Sequence, residues 1–440
     1  MDLLERIARA TMDYTYEPVP PDKTTPSWRM FGVWFGVIVN LALMNFGITM
    51  SRVMPLREAL LSFMIGQVIL STLFAISGVI GTRTRLPLGA LIRVTFGNYG
   101  ASLVLIAVAL TLMGWFAFQL ELFAGTLQNL LDVTSSNLMR SLFILSGGLL
   151  MITTAAIGFR AVAWIAQLAT PLLLITLAYA VVHSYLAHHG FRPIEIAPAD
   201  RLSFGSALSI VLGGNSLGLL IISDVSRYGR SIRGTMAATW SSFVFGGGFV
   251  FLVSILLGRI SQGSDLAAIV PDLGKGVVLI AVPCLLLATW TTNDPNVYVA
   301  SLAVVSILKS RRRWLLALSL GLIGIGITLI GIVSHFLSWL SLIGMVFAPA
   351  GAVFMLDYFL HPHQYENAHE KEMPNFRLPP ALAWLTGSIV SYLTTKSAEL
   401  GAGVVTLTTV PAADGLLAAS IVYLVLTSEY VSLETPGTPR

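Results

Sequence analysis

The residues best equipped for chemistry lie inside the most apolar stretches of the chain. Trp290-Thr-Thr-Asn-Asp-Pro-Asn296 gathers two hydroxyls, two amides and one carboxylate within seven residues. Polar and ionisable side chains at membrane depth are costly and mark solute or ion paths unless they are paired. Thr291 and Thr292 offer hard oxygens of the kind alkali cations accept, and Asn293 brings an amide within reach of a solute. Pro295 frees a carbonyl about one turn earlier, near Thr291. A kink with locally satisfied bonds is the plainer reading of the same residues. Trp115 and Gln119 stand at i and i+4, so they share a helical face. An indole beside a carboxamide suits a flat, hydrogen-bonding solute, whereas a core or lipid-facing tryptophan is the alternative. Glu121 reads either as a coupling carboxylate or as a partner for a neighbouring helix. Asp224 with Arg227 and Arg230, and Asp357 further on, close spans and read as interfacial ion pairs or gating residues.

Other chemistries find little support. The seven histidines sit at span ends, in a turn and in tails, and make no metal set. There is no GxxxxGK[ST] loop, HExxH or GxSxG, so the expectation is a protein that is neither an ATP-driven pump nor an enzyme and carries no cofactor. The lone Cys284 cannot form an intrachain disulfide.

The elements that position these residues follow from composition. Of 440 residues, 55% are hydrophobic and 11% charged, with mean hydropathy +0.80, against about 25% charged for a soluble chain. This excludes a soluble enzyme, a disordered chain and a nucleic-acid binder. Crossing a bilayer takes about 20 apolar residues, and such stretches lie near 31–50, 59–80, 101–124, 139–158, 162–186, 205–222, 236–257, 277–300, 314–333, 336–359, 380–396 and 415–432. The expected fold is therefore an all-α polytopic membrane protein with about twelve spans. The stretch 401–413 reads as loop, re-entrant hairpin or part of a helix. No cleavage site follows the first span, so residues 1–28 read as a cytoplasmic tail rather than a signal peptide. With both termini inside, the inner side carries 18 Lys and Arg and the outer side 8, the cluster Lys309-Ser-Arg-Arg-Arg313 being the strongest vote.

Two spans carry interruptions at matching places. The first contains Asn40, Asn45 and Gly47, and the sixth contains Gly213-Gly214-Asn215-Ser216-Leu217-Gly218. Non-helical backbone at membrane depth is tolerated only where protein or a cavity receives the freed groups. Paired broken spans in equivalent positions point to a transporter's substrate site; helix packing through small residues is the competing reading. The spacing suggests two five-span repeats, 29–187 and 205–360, then a loop 361–379, two further helices over 380–433 and a tail 434–440.

Several motifs resemble the nucleobase:cation symporter-1 family, most closely its cytosine permease branch. They are Arg93-Val-Thr-Phe-Gly97 with Gly100, Gly114-Trp-Phe116, Asp224-Val-Ser-Arg-Tyr-Gly-Arg230, Trp290-Thr-Thr-Asn-Asp294, and Asp357-Tyr-Phe-Leu360 with Tyr365-Glu366. The resemblance implies a five-plus-five inverted repeat with broken helices 1 and 6, and symport of a flat heterocycle through the cytoplasmic membrane. It implies base stacking by Trp115, a substrate contact from Asn293, and a cation site where the backbone near Gly36 and Val39 meets Thr291 and Thr292. Leu112 stands where the cytosine permease pattern has a glutamine, Gly214-Asn215 where it has serine and phenylalanine, and Leu217 where it has a further serine. Ala288 replaces an asparagine of the cation site, so sodium and a proton, with Glu121 as its carrier, stand as alternative coupling ions. Leu112 can neither donate nor accept, and an unpaired base edge in a closed site costs about 1–3 kcal/mol. Purines, allantoin, hydantoins and hydroxymethylpyrimidine therefore stand beside cytosine as expected solutes, with Gln119, Gly214, Asn215 and Asn293 around them. Asp224 and Arg227 would serve an inner gate. A channel or a non-transporting sensor is the rival class. Lipid and a small heterocycle are the expected partners, with no nucleic acid and no obligate protein.

Overall fold

The computed structural model describes residues 17–157, 201–260, 275–310, 312–331, 335–396 and 400–434, with Tyr14, Ile196 and parts of 171–186. The expected fifth span, 162–186, falls largely outside the described residues.

The first expected span is two helices, α1 (Ser27–Ile38) and α2 (Leu41–Val53), bent by 51° at the break. Asn40 makes the break hold. Its Oδ1 accepts the Leu43 N–H at 2.9 Å, and its Nδ2 donates to the carbonyls of Val37 and Ile38. A capping asparagine supplies the partners that a helix end lacks. Gly47 does not interrupt α2. It lies inside the helix and lets α2 approach Ser254 and Phe251 of a later span, which is the packing use of glycine.

Helix α3 (Leu56–Thr84) is followed by α4 (Leu88–Leu130), whose first turns precede the expected third span. Gly97 breaks the helical course of α4 with φ +75°, a left-handed φ that glycine accepts without steric cost. The amides exposed there are satisfied from far along the chain: Asn98 N–H donates to Pro374 O and Tyr99 N–H to Asn375 O. Helix α5 (Asn137–Ile157) follows.

The sixth span is α6 (Phe204–Gly214) and α7 (Gly218–Ser226), parted at Asn215–Leu217 as the glycines suggested. Gly213 meets Gly344 backbone to backbone, so the break is pressed against a neighbouring helix. Helix α8 (Ile232–Ser241) passes through a π turn, Ser242–Gly246, into α9 (Gly247–Ile260). Gln67 Nε2 donates to the Phe243 carbonyl in that turn at 3.0 Å. Then come α10 (Lys275–Leu308) with Pro283 and Pro295 inside it, α11 (Arg313–Ile330), α12 (Phe336–Leu360), α13 (Leu378–Thr394) and α14 (Pro411–Glu434). The stretch 401–410 is non-helical and Pro411 opens α14.

Among the described residues, eight spans are long and apolar enough to cross a membrane, and the bent pair α1–α2 makes a ninth. The two halves interleave: α2 packs on α9, α3 on α6 and α7, α4 on α10, and α12 on α6 and α14. The N-terminal segment docks at one end of this bundle. Val19 N–H donates to Arg85 O, and Thr25 exchanges backbone bonds with Tyr228 and Arg230.

Candidate functional site

Both breaks open onto one cavity of about 170 Å³, walled also by α4, α10 and α12. Most of the wall is apolar, including Phe46, Phe63, Phe74, Phe243 and Phe336. The polar groups are few: Asn40, Gln119, Asn215, Thr292 and Asn296. An enclosed apolar site with a handful of placed polar groups is what a small organic solute needs.

Trp115 lines this cavity. Gly114 beside it lets α4 close onto Trp339 of α12, since a methyl group there would run into that indole. Trp115 meets Phe118 and Phe336 edge-on, at 6.4 and 6.1 Å between centroids, while those two rings stack at 3.9 Å. Aromatic edges thus fix the indole plane. Gln119 is on the wall one turn later. It is 3% exposed and its Oε1 has no hydrogen-bond partner. Gly214 sits against Leu340, and Asn215 ends α6, its own N–H bonded to Gly213 O. Both line the cavity, and so does Leu112.

The expected contact from Asn293 is not made at the cavity. Asn293 is fully buried behind the wall, where its Nδ2 donates to Phe116 O at 3.1 Å and meets Met151 Sδ at 3.4 Å. Asn296, three residues on, is the asparagine of α10 that lines the cavity. The spacing carries the signal, since Thr292 and Asn296 are i,i+4 and share a helix face, whereas the motif resemblance points to Asn293. Asp294 is 2% exposed with neither oxygen hydrogen-bonded, and it too lies off the wall.

The break in the first span releases carbonyls. Asn40 N–H donates to Ile38 O at 3.1 Å rather than four residues back to Gly36 O, and the Leu43 N–H is taken by Asn40 Oδ1 rather than Val39 O. Helix α1 packs against α10, which carries Thr292 into the cavity wall; the Thr291 side chain is outside the described residues. Gly36 and Val39 do not themselves line the cavity.

Glu121 lies elsewhere. Its carboxylate makes a two-pronged pair with Arg140 at 2.8 and 2.7 Å, and Arg140 also donates to Thr328 O. That joins α4 to α5 and α11, which is the neighbouring-helix role, and keeps the carboxylate off the cavity wall. Asp224 and Arg227 are buried at the end of α7. Asp224 Oδ1 accepts the first amide of α4, Leu88 N–H, at 3.2 Å and stands 3.4 Å from Arg227 Nε. Arg227 donates onward to Tyr14 O and lies over the Tyr228 ring. The pair pins α7, α4 and the N-terminal segment together at the end of the bundle.

A different cluster gathers at the end of α12. Asp357 is fully buried and accepts from the hydroxyls of Tyr365 and Tyr423, each at 2.5 Å, and from Arg377 Nη1 at 3.0 Å. His361 Nδ1 is 3.5 Å away. Arg377 also holds the carbonyls of Val94 and Phe96, just before the Gly97 break. Burial, then the Asp357 carboxylate, push the Tyr365 phenol well above the ordinary tyrosine range.

Comparison with known proteins agrees with this architecture. The family model described as "Permease for cytosine/purines, uracil, thiamine, allantoin" matches residues 18–375. The cytosine permease of Escherichia coli strain K12 is 25% identical over 359 residues, covering 81% of this chain and 83% of its own. Among solved structures, Mhp1, a nucleobase-cation-symport-1 family transporter in a closed conformation with bromovinylhydantoin bound, superposes with a TM-score of 0.71 at 16% identity, over 94% of this chain and 95% of its own. Its inward-facing form gives 0.76 at 15% identity, over 94% and 93%. A sodium-coupled sialic acid symporter gives 0.65 at 13% identity, over 97% and 95%. The chain belongs to the nucleobase:cation symporter-1 family of permeases for cytosine, purines and related solutes, and is a multi-pass membrane transporter.

Proposed function

We propose that this protein carries a flat nitrogen heterocycle, a nucleobase or a close relative, through the cytoplasmic membrane together with a cation. The observation that carries the reading is the meeting of both helix breaks at one largely apolar cavity, with Trp115, Gln119 and Asn215 on its wall. Trp115 stacks on the ring, and the amides of Gln119 and Asn215 bond its edges. Alternating access exposes the cavity to each side in turn as the interleaved halves, 29–187 and 205–360, move against each other. Both termini lie in the cytoplasm.

For the ion, sodium is favoured over a Glu121-borne proton. The carbonyls of Gly36 and Val39, released by Asn40, are hard oxygen donors close to the helix that carries Thr291 and Thr292, whereas Glu121 is spent on Arg140. Thr292→Ala should then raise the sodium concentration needed for half-maximal uptake.

A solute other than cytosine is a second reading favoured by Leu112. It is 2% exposed on the cavity wall and offers no hydrogen bond, while Asn215 offers one in a new place. The test is thermal stabilisation of purified protein by cytosine, uracil, adenine, hypoxanthine, uric acid, allantoin, hydantoin and hydroxymethylpyrimidine, with sodium or choline and at two pH values. Ligands that bind the native state raise its apparent stability. A shift that grows with sodium supports the proposal and names the solute. A shift that follows pH alone replaces sodium by a proton, and none in folded protein ends the heterocycle reading. Binding without uptake in proteoliposomes makes the protein a sensor.

A further inference from the structure

Between α13 and α14 the chain runs from Leu400 to Ala413, fourteen residues, without a charge. Its bonds fix its depth. Ala402 N–H donates to Tyr392 O, and the N–H groups of Val404 and Val405 donate to Leu393 O, carbonyls in the last turn of α13 that the helix itself leaves open. The segment therefore doubles back alongside that turn, inside the level of Lys396, whose side chain is exposed. Helix α13 has 17 residues, about 25 Å at 1.5 Å per residue, against about 30 Å of hydrocarbon. A span that short does not carry its last turn beyond the headgroup boundary, and Tyr392, 47% exposed there, is a residue type enriched at that level. One side of the segment is closed by protein. Thr409 occupies the space that a Cβ on Gly205 would need, and Ala412 N–H donates to Ser209 Oγ at 3.0 Å. Asp414, which follows, is buried and takes the hydroxyl and the amide of Thr408. The other side carries Val404 and Leu407, 68% and 63% exposed.

We propose that residues 402–409 form a non-helical cap seated at the headgroup–acyl boundary, with lipid acyl chains as the partner of the face that bears Val404 and Leu407. In water that face would keep its apolar surface wet, a cost that grows with area. At the boundary lipid covers it, and the bonds to α13 satisfy backbone groups that an unbonded loop could not bring to that depth. With both termini in the cytoplasm, the leaflet is the outer one. Because the same cap holds Gly205 and Ser209 of α6, the outer arm of the broken sixth span leans on an element seated in lipid.

The test is a measurement of depth. In Cys284→Ser protein, which has no native thiol, Val404→Cys and Leu407→Cys are spin-labelled one at a time in vesicles of phosphatidylethanolamine and phosphatidylglycerol. Collisions with oxygen, which concentrates in lipid, are compared with collisions with a water-soluble nickel chelate. Leu385→Cys, at a position of α13 that is 57% exposed, gives the lipid value, and Lys396→Cys gives the aqueous one. Both cap positions should lose nickel access relative to Lys396→Cys and move toward the oxygen-to-nickel ratio of Leu385→Cys. A ratio at the Lys396→Cys value makes the segment a loop in water and overturns the proposal. Loss of access to both reagents overturns it too, since a second copy of the chain then covers the face. A further measurement needs no variant. Wild-type protein is photolysed in the same vesicles with a lipid that carries a diazirine near the headgroup end of its acyl chain, and the crosslinks are mapped. They should fall on Val404, Val405 or Leu407 as well as on the last turns of α13; crosslinks on α13 with none on the cap overturn the proposal.

Discussion

Two polar regions of this molecule are built on opposite terms. Around Asp357 nearly every polar group is committed: one buried carboxylate takes two tyrosine hydroxyls and a guanidinium, that guanidinium also holds the Val94 carbonyl of α4, and the Arg377 backbone N–H holds the Phe96 carbonyl. Around the cavity two amide oxygens are held back. Gln119 Oε1 is unpartnered and the Asn296 oxygen accepts from no described residue, whereas the Asn40 amide is spent on capping the break in the first span. A buried polar group without a partner is a cost to folding. A fully satisfied network rigidifies what it touches. The Asp357 cluster therefore behaves as frame, and the cavity keeps unmade bonds, which under the proposed function a solute completes.

The contrast can be broken from either side. Asp357→Ala should have the largest effect, a loss of about 3–5 kcal/mol from stranding the buried partners of a charge. A fall in the melting temperature of protein in detergent, with or without solute, is the readout, and a wild-type melting curve would remove the cluster from the frame. Trp115→Ala should do the reverse. Solute binding should weaken by about 1–3 kcal/mol through lost stacking, while the solute-free melting temperature stays near wild type. If binding is unchanged in folded protein, the indole is only wall.

Smaller effects sharpen the same comparison. Tyr365→Phe removes one of the hydroxyls on Asp357 and should cost about 1–2 kcal/mol, again with no change in solute affinity once folded. Because its phenol is held above the ordinary tyrosine range, Tyr365 contributes stability in full below the unfolded tyrosine pKa of about 10, and loses it as pH rises beyond. The wild-type melting temperature should therefore decline above that pH more steeply than that of Tyr365→Phe. The smallest effect belongs to Glu121→Gln. Its pair with Arg140 is partly exposed, with side chains 21% and 25% accessible, and such pairs are worth about 1 kcal/mol or less. Uptake in proteoliposomes should keep its wild-type dependence on pH. A lost dependence would return Glu121 to the coupling path.

Much of the site was legible along the chain. Three glycines around Asn215 are poor helix at membrane depth, and the sixth span breaks there. Trp115 and Gln119 share a face by spacing alone, and both reach the cavity. Gly47 reads in sequence as part of the first break, yet a glycine that loosens a helix and one that lets two helices touch look alike until the neighbour is known. Asn293 and Asn296 are two amides on one helix, and which one faces the cavity depends on how that helix is rotated against α4.

The sequence by itself determined that this is a bundle of apolar helices, where two of them break, and which polar residues lie at membrane depth. Those are properties of chain neighbours: hydropathy over about 20 residues, helical spacing, and the conformational freedom of glycine. Only the tertiary structure decided which of those polar groups are spent and which are spare. Arg140 claims Glu121 from 19 residues away, Phe116 claims Asn293 from 177, and Tyr423 closes on Asp357 from 66. A hydrogen bond depends on where a partner ends up in space, and for a buried side chain that is settled by packing between helices far apart in the chain.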